Sequence, residues 1–152
     1  MIDRFHANFK KLSAWLKNMQ NFAMKNGYTY TLFGRRRWLP ELKSTVWKEK
    51  ASALRMAINT PIQSAASDIM MLGIINIRKR LDMTKARLIA TVHDSVVLEI
   101  RKDYVAEALP IIKDCLENPL FKGKRLPFLD IVPLLAEFER GPKYGSMTEV
   151  KF

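Results

Sequence analysis

The sequence has one cysteine, Cys115, and two histidines among its 152 residues. A single cysteine excludes an intrachain disulfide framework, and no cluster of cysteine and histidine is present to hold zinc. Cys115 is therefore expected in the core. The amino terminus mixes charged residues into an apolar pattern, so it reads neither as a signal peptide nor as a membrane span. These absences favour a cytoplasmic protein with no membrane partner.

Acidic residues are also scarce, since 15 Asp and Glu stand against 26 Lys and Arg and leave a formal charge of +11. A surplus of positive charge favours binding to a polyanion. Nucleic acid is the first expectation and an anionic membrane surface the second. A ribosomal or merely soluble basic protein has the same balance, so charge alone names no chemistry. Hydrophobic residues make up 48% of the chain, enough for one globular domain with a buried core.

Apolar periodicity predicts the helices. Residues 45–81 read as two helical stretches separated at Pro61, because proline removes a backbone donor and clashes with the preceding turn. Asp103 is placed to cap a further helix over 103–117. Over residues 1–26 apolar side chains recur at the period of one helix face, and these are Ile2, Phe5, Phe9, Leu12, Leu16, Met19 and Phe22.

Aromatic and β-branched runs predict the strands. A short extended segment at 28–33 leads into a basic stretch, so residues 27–44 read as an Arg-rich loop. Residues 86–101 hold two apolar, β-branched runs around the polar triplet His93-Asp94-Ser95, which is a hairpin signature. A last strand is expected over 129–138. This order of elements predicts an α+β domain with an antiparallel sheet packed with long helices.

The turn at Asp94 is the first candidate site. A carboxylate at the tip of a hairpin rooted in apolar strands is rigidly held and open to ligand, which suits a ligand of magnesium. Magnesium keeps water and substrate phosphates in its shell, so one protein carboxylate seldom makes a site alone. The alternative is an Asx-type turn, in which the Asp94 side chain bonds only to nearby backbone.

The densest basic cluster is the run Arg35-Arg36-Arg37, which we call the arginine run. Guanidinium groups match phosphate oxygens in paired hydrogen bonds, so a contact with a nucleic-acid backbone is the functional interpretation. A solvated basic loop explains the same run equally well.

Arg55, Asn59 and Gln63 stand four residues apart and line one helix face if the chain stays helical across Pro61. Every base pair presents hydrogen-bond acceptors in the minor groove, so donors placed there test pair shape without reading sequence. Helix capping or ordinary surface polarity also explains this spacing. Asp68, further along the same segment, is assigned no role.

Taken in order, three strings resemble family A (DNA polymerase I-like) DNA polymerases. They are Gly27-Tyr28 with residues 31–41, then residues 55–68, then residues 92–99. Similarity of lower specificity extends from about Phe9 to Gly145. The resemblance implies a carboxy-terminal palm segment with part of the fingers, which is an incomplete half of a right-hand polymerase fold.

The resemblance also implies roles. The hairpin at 86–101 corresponds to motif C of the palm, which makes Asp94 a ligand of the catalytic magnesium ions. It places His93 near the primer terminus, as a catalytic and DNA-contacting residue. The arginine run is similar to a fingers-palm region near the template. Three residues match those that contact the primer-template at its minor groove, namely Arg55, Asn59 and Gln63. The implied ligands are primer-template DNA, a deoxynucleoside triphosphate and Mg²⁺.

The sequence departs from the family pattern in two places. Ser95 stands where most of these DNA polymerases have Glu, as in single-subunit RNA polymerases and some phage-type DNA polymerases, so an RNA polymerase fragment stays open. Where Gln-Gly-Thr-Ala-Ala-Asp is common, residues 63–68 read Gln-Ser-Ala-Ala-Ser-Asp. The sequence contains no Asp-Tyr-Ser-like motif A and no Arg/Lys/Tyr fingers helix.

Two-metal phosphoryl transfer needs carboxylates from more than one segment. Motif A and the fingers helix normally precede the point where this sequence begins, so we expect one subunit of a split polymerase for DNA replication or repair. Its partner chain would carry motif A, fingers and thumb and share the magnesium site, in the host cytoplasm if a phage encodes the chain. An apolar face is expected where the missing strands belong. A non-catalytic DNA-binding remnant and a shortened or mis-split gene product are the alternatives.

Overall fold

The computed structural model describes residues 2–150, apart from the side chains of Ile2, Asp3 and Phe5. The chain divides into two compact units, Met1–Asp68 and Ile69–Phe152. The α+β class and the antiparallel pairing of strands are as predicted, but the single sheet expected is not formed, because the described strands pair as four separate two-stranded sheets. No helix in the described range is long and apolar enough to cross a membrane.

The first unit contains helices α1 (Ile2–Asn8) and α2 (Lys10–Asn26), strands β1 (Tyr28–Tyr30) and β2 (Arg36–Trp38), a 3₁₀ helix (Pro40–Lys43) and most of helix α3 (Trp47–Arg80). The second unit takes the end of α3, strands β3 (Ala86–Val92) and β4 (Ser95–Ile100), and helix α4 (Val105–Glu117). It continues with strands β5 (Leu120–Phe121) and β6 (Lys124–Arg125), a 3₁₀ helix (Pro127–Asp130), and strands β7 (Glu139–Lys143) and β8 (Ser146–Glu149).

The single helix predicted over 1–26 is wrong in one respect, because the chain leaves helical geometry at Phe9, where φ is −110° and ψ is 60°. The Ser13 hydroxyl donates to the Phe9 carbonyl at 3.0 Å, a local bond of the kind that competes with regular helix. The contributions of Ile2 and Phe5 to the predicted apolar face lie outside the described side chains. Helix α2 ends at Asn26 and is capped by Gly27, as predicted, with Gly27 in the left-handed conformation at φ 77°.

The segment 27–44, predicted as a loop, is mostly structured. Strands β1 and β2 pair antiparallel, with Tyr28 opposite Trp38 and Tyr30 opposite Arg36. Rings from helix and hairpin hold this pairing, since Phe22 lies edge-on to Tyr28 at 5.4 Å and to Tyr30 at 5.0 Å between ring centroids. These aromatic contacts stabilise a strand where the basic run alone indicated a loop.

Helix α3 runs through Pro61 without interruption, so the predicted separation there is wrong. Proline lacks the N–H that would donate to the carbonyl of Ala57, four residues back. The fully buried hydroxyl of Thr29 donates to that carbonyl instead, at 3.0 Å. A tertiary hydrogen bond thus replaces the missing helical one. The buried side chains around it are Ala23, Leu39, Leu42, Ala53 and Ala57.

The second unit packs α4 and the base of the β3–β4 hairpin against the end of α3. Gly73 permits close approach of the two helices, since a Cβ there would lie 3.2 Å from the Cys115 carbonyl oxygen. Cys115 is buried, as predicted, and this burial raises the pKa of its thiol. The core consists of Ile77, Leu81, Ala86, Tyr104, Ala108, Ile112 and Cys115.

Two predictions for this unit are wrong. The strand expected over 129–138 is absent from the described structure: a 3₁₀ helix occupies Pro127–Asp130 and the next strand begins at Glu139. Pro133 explains part of this, because proline cannot donate to a strand ladder. Asp103 does not cap α4, since its carboxylate pairs with Arg101 at 2.7 Å.

Thr29→Val removes the hydroxyl while keeping the shape of the side chain. We expect unfolding free energy to fall by about 1 to 3 kcal/mol, because the buried Ala57 carbonyl loses its donor. In a Pro61→Ala background the restored backbone N–H takes over, so the same substitution has a smaller effect. Urea unfolding of the unsubstituted chain, the two single variants and the double variant measures this coupling. If the effects of the two substitutions on the unfolding free energy were additive, the interpretation that the Thr29 hydrogen bond replaces the one that Pro61 cannot make would be contradicted.

Asp114 pairs with Arg80, and this hydrogen bond lowers the pKa of the Asp114 carboxyl below 3.8. The pair therefore stabilises the fold above about pH 3.8, and its contribution disappears as the pH falls through the lower, folded-state pKa. Both side chains are nearly half exposed. We expect Asp114→Asn to reduce stability by less than about 1 kcal/mol at pH 7. Urea titrations should find this difference shrinking in acid, and a difference independent of pH would contradict the assignment.

Candidate nucleic-acid interface

The candidate residues fall in both units, and each group is described within its own unit. Because α3 is continuous, Arg55, Asn59 and Gln63 lie along one face of it, as predicted, and all three are exposed. Each is turned by about 40° and raised by about 6 Å from the one before. Within the described residues no hydrogen bond or ion pair occupies these side chains. We call this strip the donor face.

The arginine run is anchored and is not a freely solvated loop. Arg37 donates to the Thr60 hydroxyl at 3.2 Å and to the sulfur of Met56 at 3.1 Å. The guanidinium carbon of Arg36 lies 4.9 Å from the centroid of the Tyr28 ring. Since Met56 and Thr60 directly follow Arg55 and Asn59 in the helix, Arg37 lies beside the donor face.

Arg35 is held differently, by an ion pair with Asp68 at 2.8 Å. Asp68 has a role that sequence reasoning missed, because the two residues are 33 positions apart and neither carries a local signal of the pairing. The second carboxylate oxygen of Asp68 is buried and has no hydrogen-bond partner among the described residues. The pair leaves Arg35 with a compensated charge, unlike its two neighbours.

The arginine run forms one wall of a cavity of about 310 Å³, which we call the arginine cavity. Hydroxyl groups complete the lining, and sequence reasoning did not identify them. Guanidinium and hydroxyl groups are the donors that phosphate oxygens accept. The lining residues are Thr31, Arg35, Arg36, Arg37, Thr60 and Ser64.

In the second unit, His93 and Asp94 form the two-residue connection between β3 and β4, whose last pair is Val92 with Ser95. His93 has φ 55°, a conformation that short hairpin loops require and that His adopts more readily than most residues. Both loop residues are exposed. The predicted hairpin is thereby confirmed, with its polar residues at the tip.

The Asx-type alternative is not formed. The local side-chain bond in this turn comes from Ser95, whose hydroxyl donates to the Val92 carbonyl at 2.8 Å. Within the described part of the chain, no hydrogen bond or ion pair engages the Asp94 carboxylate. Asp94 is therefore an exposed hard-oxygen donor, which fits a magnesium ion that keeps water and phosphate in its shell.

The hairpin has a buried base and an open tip. Ala86 is buried in the core of the second unit, and Leu88, Leu98 and Ile100 pack against that core. A bulge at Ile89 shifts the register between Leu88 and Ala90, and bulges of this kind turn the end of a strand in a new direction. In the described residues, no group of three or more potential metal-binding side chains comes together.

The chain matches the model of DNA polymerase family A over residues 1–146. It is 38% identical over 117 residues to the thermostable DNA polymerase I of Thermus filiformis, covering 77% of this chain and 14% of that protein. It is 34% identical over 150 residues to the DNA polymerase of Bacillus phage SP01, covering 97% of this chain and 16% of that protein.

A solved structure of the POL domain of Pol1 from M. smegmatis, in complex with DNA primer-template and dNTP, is also similar. The TM-score is 0.69 at 30% identity, over 76% of this chain and 21% of that one. The chain belongs to DNA polymerase family A, as the three sequence strings predicted. It spans 14% to 16% of the length of these two curated relatives.

Among the described residues, Arg37 contacts neutral groups only, so its charge is available to a phosphate. We expect Arg37→Gln to reduce the slope of log affinity against log salt concentration by about 0.9, the value for one phosphate contact on duplex DNA. Fluorescence anisotropy with a labelled primer-template at several salt concentrations measures this slope. Lys143→Gln, which removes an exposed charge in β7, is the control and should leave it unchanged. Equal slopes for Arg37→Gln and the unsubstituted chain would contradict the contact.

Proposed function

We propose that this chain supplies part of the active site of a DNA-directed DNA polymerase, acting in replication or repair. Its family membership supports template-dependent nucleotidyl transfer as the reaction class. The observation that carries the proposal is the exposed Asp94 carboxylate, held without a competing partner among the described residues at the tip of a hairpin with a buried base.

In this proposal the 86–100 hairpin is motif C of the palm, and Asp94 is a ligand of the catalytic magnesium ions. When bound, the metal ions would activate the primer 3′-hydroxyl and stabilise the charge that develops on the leaving pyrophosphate. The task of the protein is to hold the carboxylate in a fixed position, for which a two-residue loop on paired strands is well suited. His93, exposed beside Asp94, would contact the primer terminus.

The donor face would lie against the minor groove of the primer-template. Arg55, Asn59 and Gln63 are unoccupied donors among the described residues, and acceptors at the minor-groove edge are common to all base pairs. Such contacts respond to the shape of a pair and not to its identity, as a polymerase requires. The similar M. smegmatis domain, solved with primer-template and dNTP, supports these ligands. The arginine run would contact the strand backbone near the template.

We further propose a partner chain that carries motif A, fingers and thumb and shares the magnesium site. Two-metal transfer needs carboxylates from more than one segment, and this hairpin contributes Asp94. The β3–β4 sheet has two strands, and two-stranded sheets are marginally stable alone. Ile89 of β3 is 57% exposed. A partner strand added here would extend the palm sheet and cover apolar surface.

The rival function is a DNA-binding remnant without catalysis. The donor face and the arginine run favour it, because both bind DNA without any metal chemistry. Ser95 keeps a second rival open, a fragment of a single-subunit RNA polymerase. The two rivals differ from the proposal in whether Asp94 matters and in which nucleotide is incorporated.

The test uses the tagged chain recovered from its native cells together with its partner. We expect Asp94→Asn to slow magnesium-dependent primer extension on the order of a thousandfold, because a charged ligand of the reaction centre is lost. Primer-template affinity should stay the same. Asp103→Asn, which removes a carboxylate paired with Arg101 in the same unit, should extend normally.

Extension that is indifferent to Asp94→Asn would contradict the proposal, and binding without extension would support the remnant. Robust synthesis by the isolated chain would exclude the need for a partner. Incorporation of ribonucleotides in preference to deoxynucleotides would identify the RNA polymerase alternative.

A further inference from the structure

The first unit contains an open cavity between α2, the turn after β1 and the middle of α3. Its volume is about 460 Å³, which is in the range of protein sites that bind another molecule. Within the described residues, no charged side chain lines it. We call it the apolar groove, and its lining includes Trp15, Met19, Tyr30, Leu32, Pro61 and Ile62.

Large apolar side chains at this groove are exposed to solvent. Leu32 is 59% exposed and Ile62 is 58% exposed. Leu12 is exposed as well, and it lies one turn before Trp15 on the same face of α2. Scattered apolar residues on a surface need no explanation, but residues that gather at a concave surface mark an interaction site. The groove and its extension along α2 therefore fit an elongated apolar ligand.

The helix beside the groove is basic. It carries four lysines and no acidic residue, and the sequence has no Asp or Glu between Arg4 and Pro40. Lys11 precedes Trp15 by four positions, so it lies on the same helix face, one turn from the groove. In the described part of the chain, no hydrogen bond or ion pair engages Lys11. The groove requires an apolar ligand, whereas its surroundings attract negative charge.

An acidic amphipathic helix combines both properties. Its apolar residues recur every three or four positions and enter a groove, while carboxylates on its flanks face the lysines. Strand addition is disfavoured, because β1 and β2 have three residues each and offer few backbone hydrogen bonds. A nucleic-acid strand has no apolar stripe, and a second copy of this chain, with the same charge of +11, is repelled.

The partner chain of the proposed function needs a second contact surface. Stable protein interfaces bury at least about 1,200 Å² of total surface. The longer strand of the β3–β4 sheet has seven residues and spans only about 23 Å, so pairing at this sheet cannot bury that area alone. A helix in the apolar groove supplies further buried apolar area.

We propose that the apolar groove binds an acidic amphipathic helix of the partner chain, with Leu32 and Ile62 against its apolar face and Lys11 near its carboxylates. This inference rests on the proposed function, which supplies the partner, and adds a surface of the first unit that the partner contacts.

The test uses the tagged chain purified in complex with its partner and with primer-template bound. Leu32→p-benzoylphenylalanine places a photoreactive ketone at the groove. Val46→p-benzoylphenylalanine, at an exposed position of the same unit outside the groove, is the matched control. We expect irradiation to join position 32, but not position 46, to an acidic helical peptide of the chain that carries motif A. Mass spectrometry identifies the peptide.

Lys11→Glu tests the contribution of charge. We expect the purified complex to dissociate at about fivefold higher protein concentration, because an attraction becomes a repulsion, and the difference should shrink at high salt. Lys25→Glu makes the same change in net charge in the last turn of α2 and should have little effect. Size-exclusion chromatography at serial dilutions measures dissociation, and thermal unfolding verifies that each variant folds.

Attachment of position 32 to DNA or to a second copy of this chain would overturn the proposal. Failure of position 32 to attach, or equal effects of the two lysine substitutions, would overturn it as well. In each of these cases, loss of extension by Asp94→Asn would leave the proposed function intact. Recovery of the chain without any partner that carries motif A would overturn both.

Discussion

The hydrogen bond from the Thr29 hydroxyl to the Ala57 carbonyl is the interaction on which the first unit depends. Pro61 leaves that carbonyl without its helical donor, and a buried acceptor without a donor is destabilising. With the Thr29 hydrogen bond in place, α3 stays helical through Pro61. Residues 55–63 therefore lie on one continuous helix, which forms the donor face. The same bond joins the β1–β2 hairpin to the helix, which keeps Arg37 of β2 beside Thr60.

In the second unit, the β3–β4 hairpin is stabilised at its base and exposed to solvent at its tip. The base of its hairpin is packed into a core, whereas the tip carries His93 at positive φ and a carboxylate that no described residue engages. Local rules are most often broken at functional positions, because the departure serves a ligand and not the fold. Asp68, with one buried oxygen unpaired among described groups, is a similar departure in the first unit.

Short-range patterns made the best predictions. Two β-branched runs around a polar triplet predicted the hairpin, and four-residue spacing predicted the donor face. The errors came from contacts between distant residues: the Thr29–Ala57 hydrogen bond that lets α3 continue through Pro61 spans 28 positions, and the Arg35–Asp68 pair spans 33. The Phe22 ring of α2 packs on the hairpin that carries the arginine run, where composition alone indicated a loop. Apolar residues over 129–138 suggested a strand, but Pro133 cannot donate a hydrogen bond to a strand ladder.

The metal-binding and catalytic roles of Asp94 and His93 remain predictions.

The most direct test of the central claim is a crosslink from the end of the primer. A photoreactive thymidine analogue at the primer 3′ terminus is bound to the assembled protein with its partner, irradiated, and the attached peptide is identified by mass spectrometry. Attachment at the hairpin tip, residues 92–95, is the predicted result. Attachment of this chain only through the arginine run or the donor face would contradict the assignment of Asp94 to the reaction centre.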